Sequence, residues 1–218
     1  NFNLTGIDND KEAINAAKRQ VGNQRVRYVV GDIYNMPFAK ETFNKIVASE
    51  VLEHLPDDMR GLREIRRVLK KNGRIYVTVP HWNYPFFWDP VNYILQRIFK
   101  THVKSGFWAG VWNFHERLYS VSQLKRLFKN AGFALERFEC LSHYGLPFNH
   151  YLTNIGFRLR TSKNVPKTMR QSLSKFQPNK RTWFSMVITF INWFDKRNDR
   201  RFPENISTVG LFLKARKV

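Results

Sequence analysis

Residues 1–80 alternate between short apolar runs and stretches with helical spacing. Four apolar runs predict buried strands, at residues 4–8, 26–32, 43–51 and 74–80. Between the last two runs, Leu62, Ile65 and Val68 recur at helical spacing and predict one apolar helix face. Strands that alternate with helices usually form a parallel sheet covered by those helices. The pattern therefore predicts an α/β fold.

The second half of the chain has a different pattern. The segment SVSQLKRLFKNAG predicts a helix, because Ser120 and Gln123 have the spacing of a capping box. Strands are predicted directly after it, at 133–141, and at the end of the chain from residue 207. These patterns predict a core formed by residues 1–144 and 206–218. Residues 145–205 are predicted to form a basic, aromatic and helical insertion or lid.

Charge is distributed unevenly along the chain. The net charge is +20, and the residues after position 80 contain 23 Lys and Arg against 7 Asp and Glu. Such an excess predicts an anionic partner, either a membrane surface, a nucleic acid or a phosphorylated substrate, or else a solvated basic surface. Cys140 is the one cysteine, which excludes a disulfide framework within the chain and fits a reducing, cytoplasmic location.

Polar side chains end three of the predicted strands. Asp8 ends the first, Asp32 the second, and Ser49 and Glu50 the third. Ligands of open α/β sheets bind beyond these carboxyl ends. A carboxylate there can accept hydrogen bonds from ribose hydroxyls or from an adenine amine. A helix cap would explain Asp8 equally well and a turn would explain Asp32, but the ordered set favours an adenosine site.

Several longer segments carry a resemblance to a known family. The segments are GID, VVGDIYNMPFAKETFNKIVASEVLEHL, LREIRRVLKKNGRIYVTVP and HERLYSVSQLKRLFKNAGF. Together they resemble the class I S-adenosylmethionine-dependent methyltransferases, in the branch that includes quinone-biosynthesis and related small-molecule enzymes. The resemblance is dense over residues 4–80, good over 115–140 and slight over 145–205. It implies a Rossmann-like sheet with helices on both faces.

The resemblance also implies roles for particular residues. It implies S-adenosylmethionine as cofactor, with the cofactor-binding residues Asp8 and Asn9 at the ribose, Asp32 at the adenine amine, Ile33 on the ring and Ser49 under the methionine moiety. For a base, where the acceptor must lose a proton, the candidate catalytic residues are His81 and His115. For each of these histidines the sequence favours a structural role over catalysis: His81 as a loop residue beside Trp82, and His115 as a residue that orients the following helix. No His, Cys or Asp cluster has metal-ligand spacing, so no metal is expected.

Members of this family carry a glycine-rich turn after their first strand, and this sequence begins at the second. We therefore interpret the chain as truncated at its N-terminus, before that second strand. A natural or permuted variant that lacks the motif is the alternative interpretation.

An apolar segment around residues 183–194 bears on where the protein acts. Its polar residues fall in one narrow helical stripe, and its length is too short to span a bilayer. It could be buried in the protein, or it could be a lid in the membrane interface with Trp183 and Trp193 at headgroup depth and the basic cluster at 196–201 facing anionic lipid. The second interpretation predicts a hydrophobic or lipid-linked acceptor and a peripheral location at the inner membrane surface.

Other functions remain open at this level. A nicotinamide dehydrogenase would explain Asp8 but neither the Asp32 segment nor EVLEHL. A nucleic-acid methyltransferase fits the basic second half, although the sequence contains no recognisable RNA-binding module and no Asn-Pro-Pro-Tyr type of motif. A catalytically silent, methyltransferase-like binding protein is the third alternative.

Overall fold

The computed structural model describes residues 3–21, 25–144, 193, 196–198 and 202–218. Its strands are β1 (Leu4–Asp8), β2 (Val26–Val30), β3 (Phe43–Ser49), β4 (Leu69–Pro80), β5 (Phe133–Leu141) and β6 (Gly210–Lys217). Its α-helices are α1 (Lys11–Val21), α2 (Asp58–Val68), α3 (Pro90–Ile98) and α4 (Val121–Asn130). Short 3₁₀ helices lie at Leu52–His54, Phe107–Trp112 and Lys196–Asn198.

The described strands pair in two groups. β1 and β2 are parallel, with Leu4 opposite Val26 and Asp8 opposite Val30. The other four strands form a sheet in the order β3-β4-β6-β5. β3 and β4 are parallel, whereas β6 runs antiparallel to both β4 and β5. The last strand of the chain therefore lies inside the sheet, between β4 and β5.

One apolar core connects the two groups of strands. Its centre consists of Leu62, Ile65 and Val68 on α2 and of β4 and β6 side chains, all essentially inaccessible to solvent. Ile7 from β1 and Ile33 from the segment after β2 pack against the same core. The predicted helix face and the predicted α/β class are both confirmed. Both groups of strands therefore pack on the same core.

The strand boundaries differ from the predicted ones where the backbone leaves its regular pairing. β2 ends at Val30 rather than at residue 32, because Gly31 and Asp32 begin a turn. β4 begins at Leu69, earlier than predicted, but the pairing with β3 shifts between Leu69 and the next paired residue, Arg74. Asn72 has φ 60 within this irregular stretch. The start of β4 is thus an irregular, bulged stretch that precedes the regular pairing.

The predicted start of α4 is confirmed in atomic detail. The Ser120 hydroxyl accepts a hydrogen bond from the Gln123 N–H at 3.3 Å, and the Gln123 side chain accepts from the Ser120 N–H at 3.0 Å. Gly132 follows the helix at φ 80, a conformation that glycine adopts without strain. α4 buries Leu124 and Phe128 against the core. The capping box therefore fixes the register of the helix.

A small second core is formed by residues that lie between β4 and α4 in the sequence. Tyr84, Val111, Trp112 and Leu118 form it, with Trp88 and Tyr93 packed alongside. Its backbone is tied to Asp89, a fully buried carboxylate that accepts hydrogen bonds from the Asn92 side chain and from the Val111 N–H, both at 2.9 Å. This network fixes the loop that leads to residues 113–116.

The predicted insertion lies mostly outside the described residues. This holds for the lid helix around 183–194 except Trp193, and so for Trp183, and for residues 199–201 of the basic cluster at 196–201. Trp193 is about half exposed, and the guanidinium of Arg197 lies 3.8 Å from the centre of its ring. Among the described residues, none of the helices is long and apolar enough to cross a bilayer.

Candidate functional site

The first candidate residue, Asp8, stands at the carboxyl end of β1. Its side chain is exposed, and Oδ1 accepts a hydrogen bond from the Asp10 N–H at 2.8 Å. Its backbone carbonyl accepts from the Gly31 N–H at 2.9 Å, which ties the end of β1 to the end of β2. Asn9 follows directly and is exposed as well. The structure thus places a solvent-facing carboxylate where the sequence predicted one.

Asp32 lies beside this position, in the turn after β2. Its carboxylate is exposed and accepts a hydrogen bond from the Tyr34 N–H at 2.9 Å. Ile33 is half-buried and packs on the main core. Because β1 and β2 are adjacent and parallel, Asp8, Asn9, Asp32 and Ile33 share one edge of the sheet. The structure therefore brings four of the five predicted cofactor residues to one edge.

Ser49, the fifth predicted cofactor residue, ends β3 in the other sheet. Its hydroxyl lies 2.7 Å from the Thr78 hydroxyl of β4, so the two side chains form a hydrogen bond across the parallel pair. Glu50 follows with φ 52, and its N–H donates to the Thr78 carbonyl at 3.0 Å. Ser49 and Glu50 are both exposed. The end of β3 thus carries polar groups that face solvent.

These groups fit the adenosine part of a nucleoside cofactor. A carboxylate has more acceptor positions than the one backbone hydrogen bond that each aspartate makes, so Asp8 and Asp32 can accept further bonds. Ribose offers two hydroxyl donors and adenine one amine, while the half-buried Ile33 offers an apolar contact beside them. The site has the acceptors and the apolar surface that this ligand needs.

The imidazole of His81 is enclosed just beyond β4. Only 2% of the residue is exposed, and Nδ1 lies 2.9 Å from the Thr208 hydroxyl. Burial, together with the nearby positive charge of Arg97, lowers the pKa of His81 to about 4, although the hydrogen bond to Thr208 acts in the other direction. His81 is therefore neutral at pH 7. Its burial and its hydrogen bond to Thr208 favour a structural role over a role as a catalytic base.

The burial of His81 leads to a prediction about acid stability. The unfolded chain binds this proton near pH 6.5 and the folded chain only near pH 4, so folding is disfavoured increasingly as the pH falls between these values. We expect the stability advantage of the native protein over His81→Asn to shrink by about 2–3 kcal/mol from pH 7 to pH 4. Urea unfolding of both proteins across this range measures it. Parallel stability curves would refute the assignment.

The second candidate base, His115, is brought next to a histidine on another segment. The rings of His54 and His115 meet edge to face, with 4.7 Å between their centres. His115 is half-buried, whereas His54 keeps 42% of its side chain exposed. The His54 Nε2 atom lies 3.8 Å from the Glu53 carboxylate. The sequence analysis did not predict this cluster as a group, although His115 is a candidate base and Glu53 and His54 are part of the EVLEHL segment.

Glu53 has the most unusual environment in this cluster. It is fully buried, and neither carboxylate oxygen has a hydrogen-bond partner among the described residues. Burial raises the pKa of Glu53 to about 8, and the negative charge of Glu50 adds to this increase. An unpaired buried carboxylate is costly in a folded protein unless a proton or a cation neutralises it. Such a residue is a candidate functional group.

A cavity lies away from the predicted cofactor residues. It has a volume of about 390 Å³ and is lined by Asp58 at the start of α2, by Arg117 and Tyr119 just before α4, and by residues along α4. Three of its polar side chains are already paired, because Asp58 forms a 3.1 Å ion pair with Arg117 and accepts from the Tyr119 hydroxyl at 2.8 Å. The strand ends therefore remain the better candidate for a nucleoside site.

The chain is similar to known methyltransferases in both sequence and fold. Residues 1–77 match the family model described as "Methyltransferase domain". A chloroplastic 2-methyl-6-phytyl-1,4-hydroquinone methyltransferase of Oryza sativa is 33% identical over 88 residues, which are 40% of this chain and 26% of the relative. A sterol 24-C-methyltransferase of Aspergillus fumigatus is 27% identical over 97% of this chain and 50% of its own length.

Solved structures show the same architecture. A SAM-dependent methyltransferase from Methanosarcina mazei superimposes with a TM-score of 0.55 at 17% identity, over 98% of this chain and 81% of that chain. At this identity the likeness establishes the fold, and the Rossmann-like class I sheet is confirmed. The chain spans about a quarter to a half of the length of the two curated relatives named above.

Proposed function

We propose that this chain is part of a class I S-adenosylmethionine-dependent methyltransferase that transfers a methyl group from S-adenosylmethionine to a small hydrophobic acceptor. The observation that carries the proposal is the shared edge of β1 and β2, where Asp8 and Asp32 face solvent together. Both carboxylates lie within the region that matches the methyltransferase domain. Isothermal titration with S-adenosylmethionine tests the cofactor, and the Asp8 variant discussed below tests its site.

The roles of the residues follow from what each can donate or accept. Asp8, with Asn9 beside it, accepts from the ribose hydroxyls; Asp32 accepts from the adenine amine, and Ile33 packs against the ring. Ser49 lies under the methionine moiety. The cofactor supplies a methyl group already activated on a sulfonium, so these residues act by holding donor and acceptor in line. A base is needed only where the acceptor must lose a proton.

A segment with several exposed aromatic and aliphatic side chains supports a hydrophobic acceptor. We call these side chains the aromatic surface; they are Phe86, Phe87, Ile94, Ile98 and Phe99, within residues 86–99, and they are 41–66% exposed. The basic residues Lys100 and Lys104 follow α3 directly. Exposed apolar surface beside positive charge is typical of segments that lie on anionic membranes. The two curated relatives named above act on a hydroquinone and a sterol.

Vesicle sedimentation tests this part of the proposal. We expect the full-length protein to bind vesicles that contain anionic lipid, to bind less as salt rises, and to lose at least about tenfold in affinity when Phe87 and Phe99 become Ser. About 1.4 kcal/mol corresponds to tenfold, and burial of two aromatic side chains supplies at least that. Val218→Ser, an exposed apolar residue outside this surface, is the matched control and should bind normally. Equal sedimentation of all three proteins would contradict the proposal.

Binding at the inner, cytoplasmic surface of the membrane is the location that this function favours. The strong positive charge also fits a nucleic-acid substrate. The exposed side chains of the aromatic surface, however, favour binding to lipid. A catalytically silent binding protein would bind S-adenosylmethionine without methylating any acceptor. Methyl transfer from labelled cofactor to an extracted lipid or quinone fraction separates these possibilities.

A further inference from the structure

Three side chains that could bind a metal meet after the carboxyl end of β3. One ligand atom from each of Glu53, His54 and His115 lies within 4.8 Å of the others. Ligand atoms around a zinc ion are about 3–4 Å apart, because each bond is about 2.0–2.2 Å long. A small inward movement would therefore bring the three atoms to bonding distance of one ion.

The tautomer of His54 suits this role. Its Nδ1 lies 2.9 Å from the Phe114 carbonyl oxygen, which can only accept, so Nδ1 carries the hydrogen and donates it. In the neutral imidazole the lone pair is then on Nε2, the atom that lies 3.8 Å from the Glu53 carboxylate. Metal-bound histidines usually donate their second ring N–H to a carbonyl in this way. His54 therefore presents its lone pair toward the cluster.

The third ligand is held in place by backbone contacts on both sides of it. The carbonyl of Phe114 accepts from His54, and the N–H of Glu116 donates to the Glu53 carbonyl at 2.8 Å. These two bonds bracket His115 and fix its segment against Leu52–His54. The cluster thus depends on tertiary structure rather than on a flexible loop end.

We propose that Glu53, His54 and His115 bind a divalent transition-metal ion, with Zn²⁺ as the best match. The carboxylate of Glu53 is fully buried without a hydrogen-bond partner among the described residues, and an ion at this position would neutralise and coordinate it. One carboxylate and two imidazoles are a donor set that suits Zn²⁺, Fe²⁺ and Mn²⁺ better than Ca²⁺ or Mg²⁺. Such a three-ligand site leaves a coordination position open.

The open position indicates how the ion would be used. The cluster lies a few residues after Ser49, the predicted cofactor residue at the carboxyl end of β3. An acceptor hydroxyl bound to the ion would lose its proton to solvent more readily, because the metal stabilises the resulting oxyanion. That oxygen would then attack the methyl carbon of the sulfonium, so that an O–C bond forms, the S–C bond breaks and S-adenosylhomocysteine leaves. This use rests on the proposed methyl transfer, whereas binding of the ion does not.

Titration of the chelator-treated, full-length protein with Zn²⁺ tests the site. We expect one strongly bound ion per chain and a higher melting temperature in its presence. Glu53→Gln, which keeps the size of the side chain, and His54→Gln, at a partly exposed position, should each weaken binding at least about tenfold, as loss of a metal ligand does. His143→Gln is the control, because His143 is a half-buried histidine outside the cluster.

The outcomes separate this inference from the proposed function. Zn²⁺ affinity that is equal in the native protein and in Glu53→Gln, or that falls equally in His143→Gln, would overturn the metal site. Both titrations are interpreted together with circular dichroism, so a variant that fails to fold is replaced by His115→Gln. S-adenosylmethionine titrated in separate experiments reports on the proposed function alone, because Asp8 and Asp32 are not part of the cluster.

Discussion

Replacing Asp8 by alanine in the full-length protein is expected to weaken the binding of S-adenosylmethionine by about 1.5–3 kcal/mol. The carboxylate is exposed at the end of β1, and in the proposed site it accepts from both ribose hydroxyls. Hydrogen bonds to a charged group contribute about this much when one partner is removed. The loss corresponds to a decrease in affinity of roughly 10-fold to 150-fold, which isothermal titration calorimetry resolves easily.

The control for this prediction is the neighbouring aspartate. Asp10 caps the start of α1, and its Oδ1 accepts from the Glu12 N–H at 2.7 Å, so Asp10→Ala removes a carboxylate of similar exposure without touching the proposed ribose contact. Loss of such a cap costs about 1 kcal/mol of stability and should leave affinity almost unchanged. Unchanged affinity in a folded Asp8→Ala protein would refute the assignment of Asp8.

The second large effect is expected at Gly110, in the loop that leads to His115. Its φ is 52, and a Cβ added there would lie 1.8 Å from an oxygen of Asp89. Gly110→Ala must therefore displace the buried carboxylate that holds the Asn92 side chain and the Val111 N–H. We expect at least about 3 kcal/mol of lost stability, measured by urea unfolding, because backbone strain and overpacking add.

Gly106 provides a matched control for that substitution. It also has a positive φ, 85, but a Cβ added there would meet nothing within 4 Å. Gly106→Ala should therefore show the backbone strain alone, about 1–2 kcal/mol. If both variants lost the same stability, the network around Asp89 would not be the rigid support that its hydrogen bonds indicate.

The sequence predicted those features that depend on neighbouring residues. The position of Asp8 at a strand end follows from the apolar run before it, and the start of α4 follows from the spacing of Ser120 and Gln123. Each of these signals lies within a few residues of the feature that it predicts. Local periodicity and capping chemistry were therefore sufficient for the α/β class, for the position of Asp8 at a strand end and for the start of α4.

Features built by distant segments could not be predicted in this way. His81 is one of the candidate bases in the sequence, but its ring is hydrogen-bonded to Thr208, which lies 127 residues further along the chain. Glu53 and His115 meet only because the loop after α3 folds back onto the segment that follows β3. Spacing along the sequence reveals only metal ligands that lie close together in the chain. It therefore gives no information about a site assembled from two distant segments.

A crystal structure of the full-length protein with S-adenosylhomocysteine tests the central claim most directly. The account predicts the ribose hydroxyls within hydrogen-bond distance of Asp8 and the adenine beside Asp32 and Ile33, at the carboxyl ends of β1 and β2. A nucleoside bound elsewhere, with Asp8 facing only solvent, would contradict it.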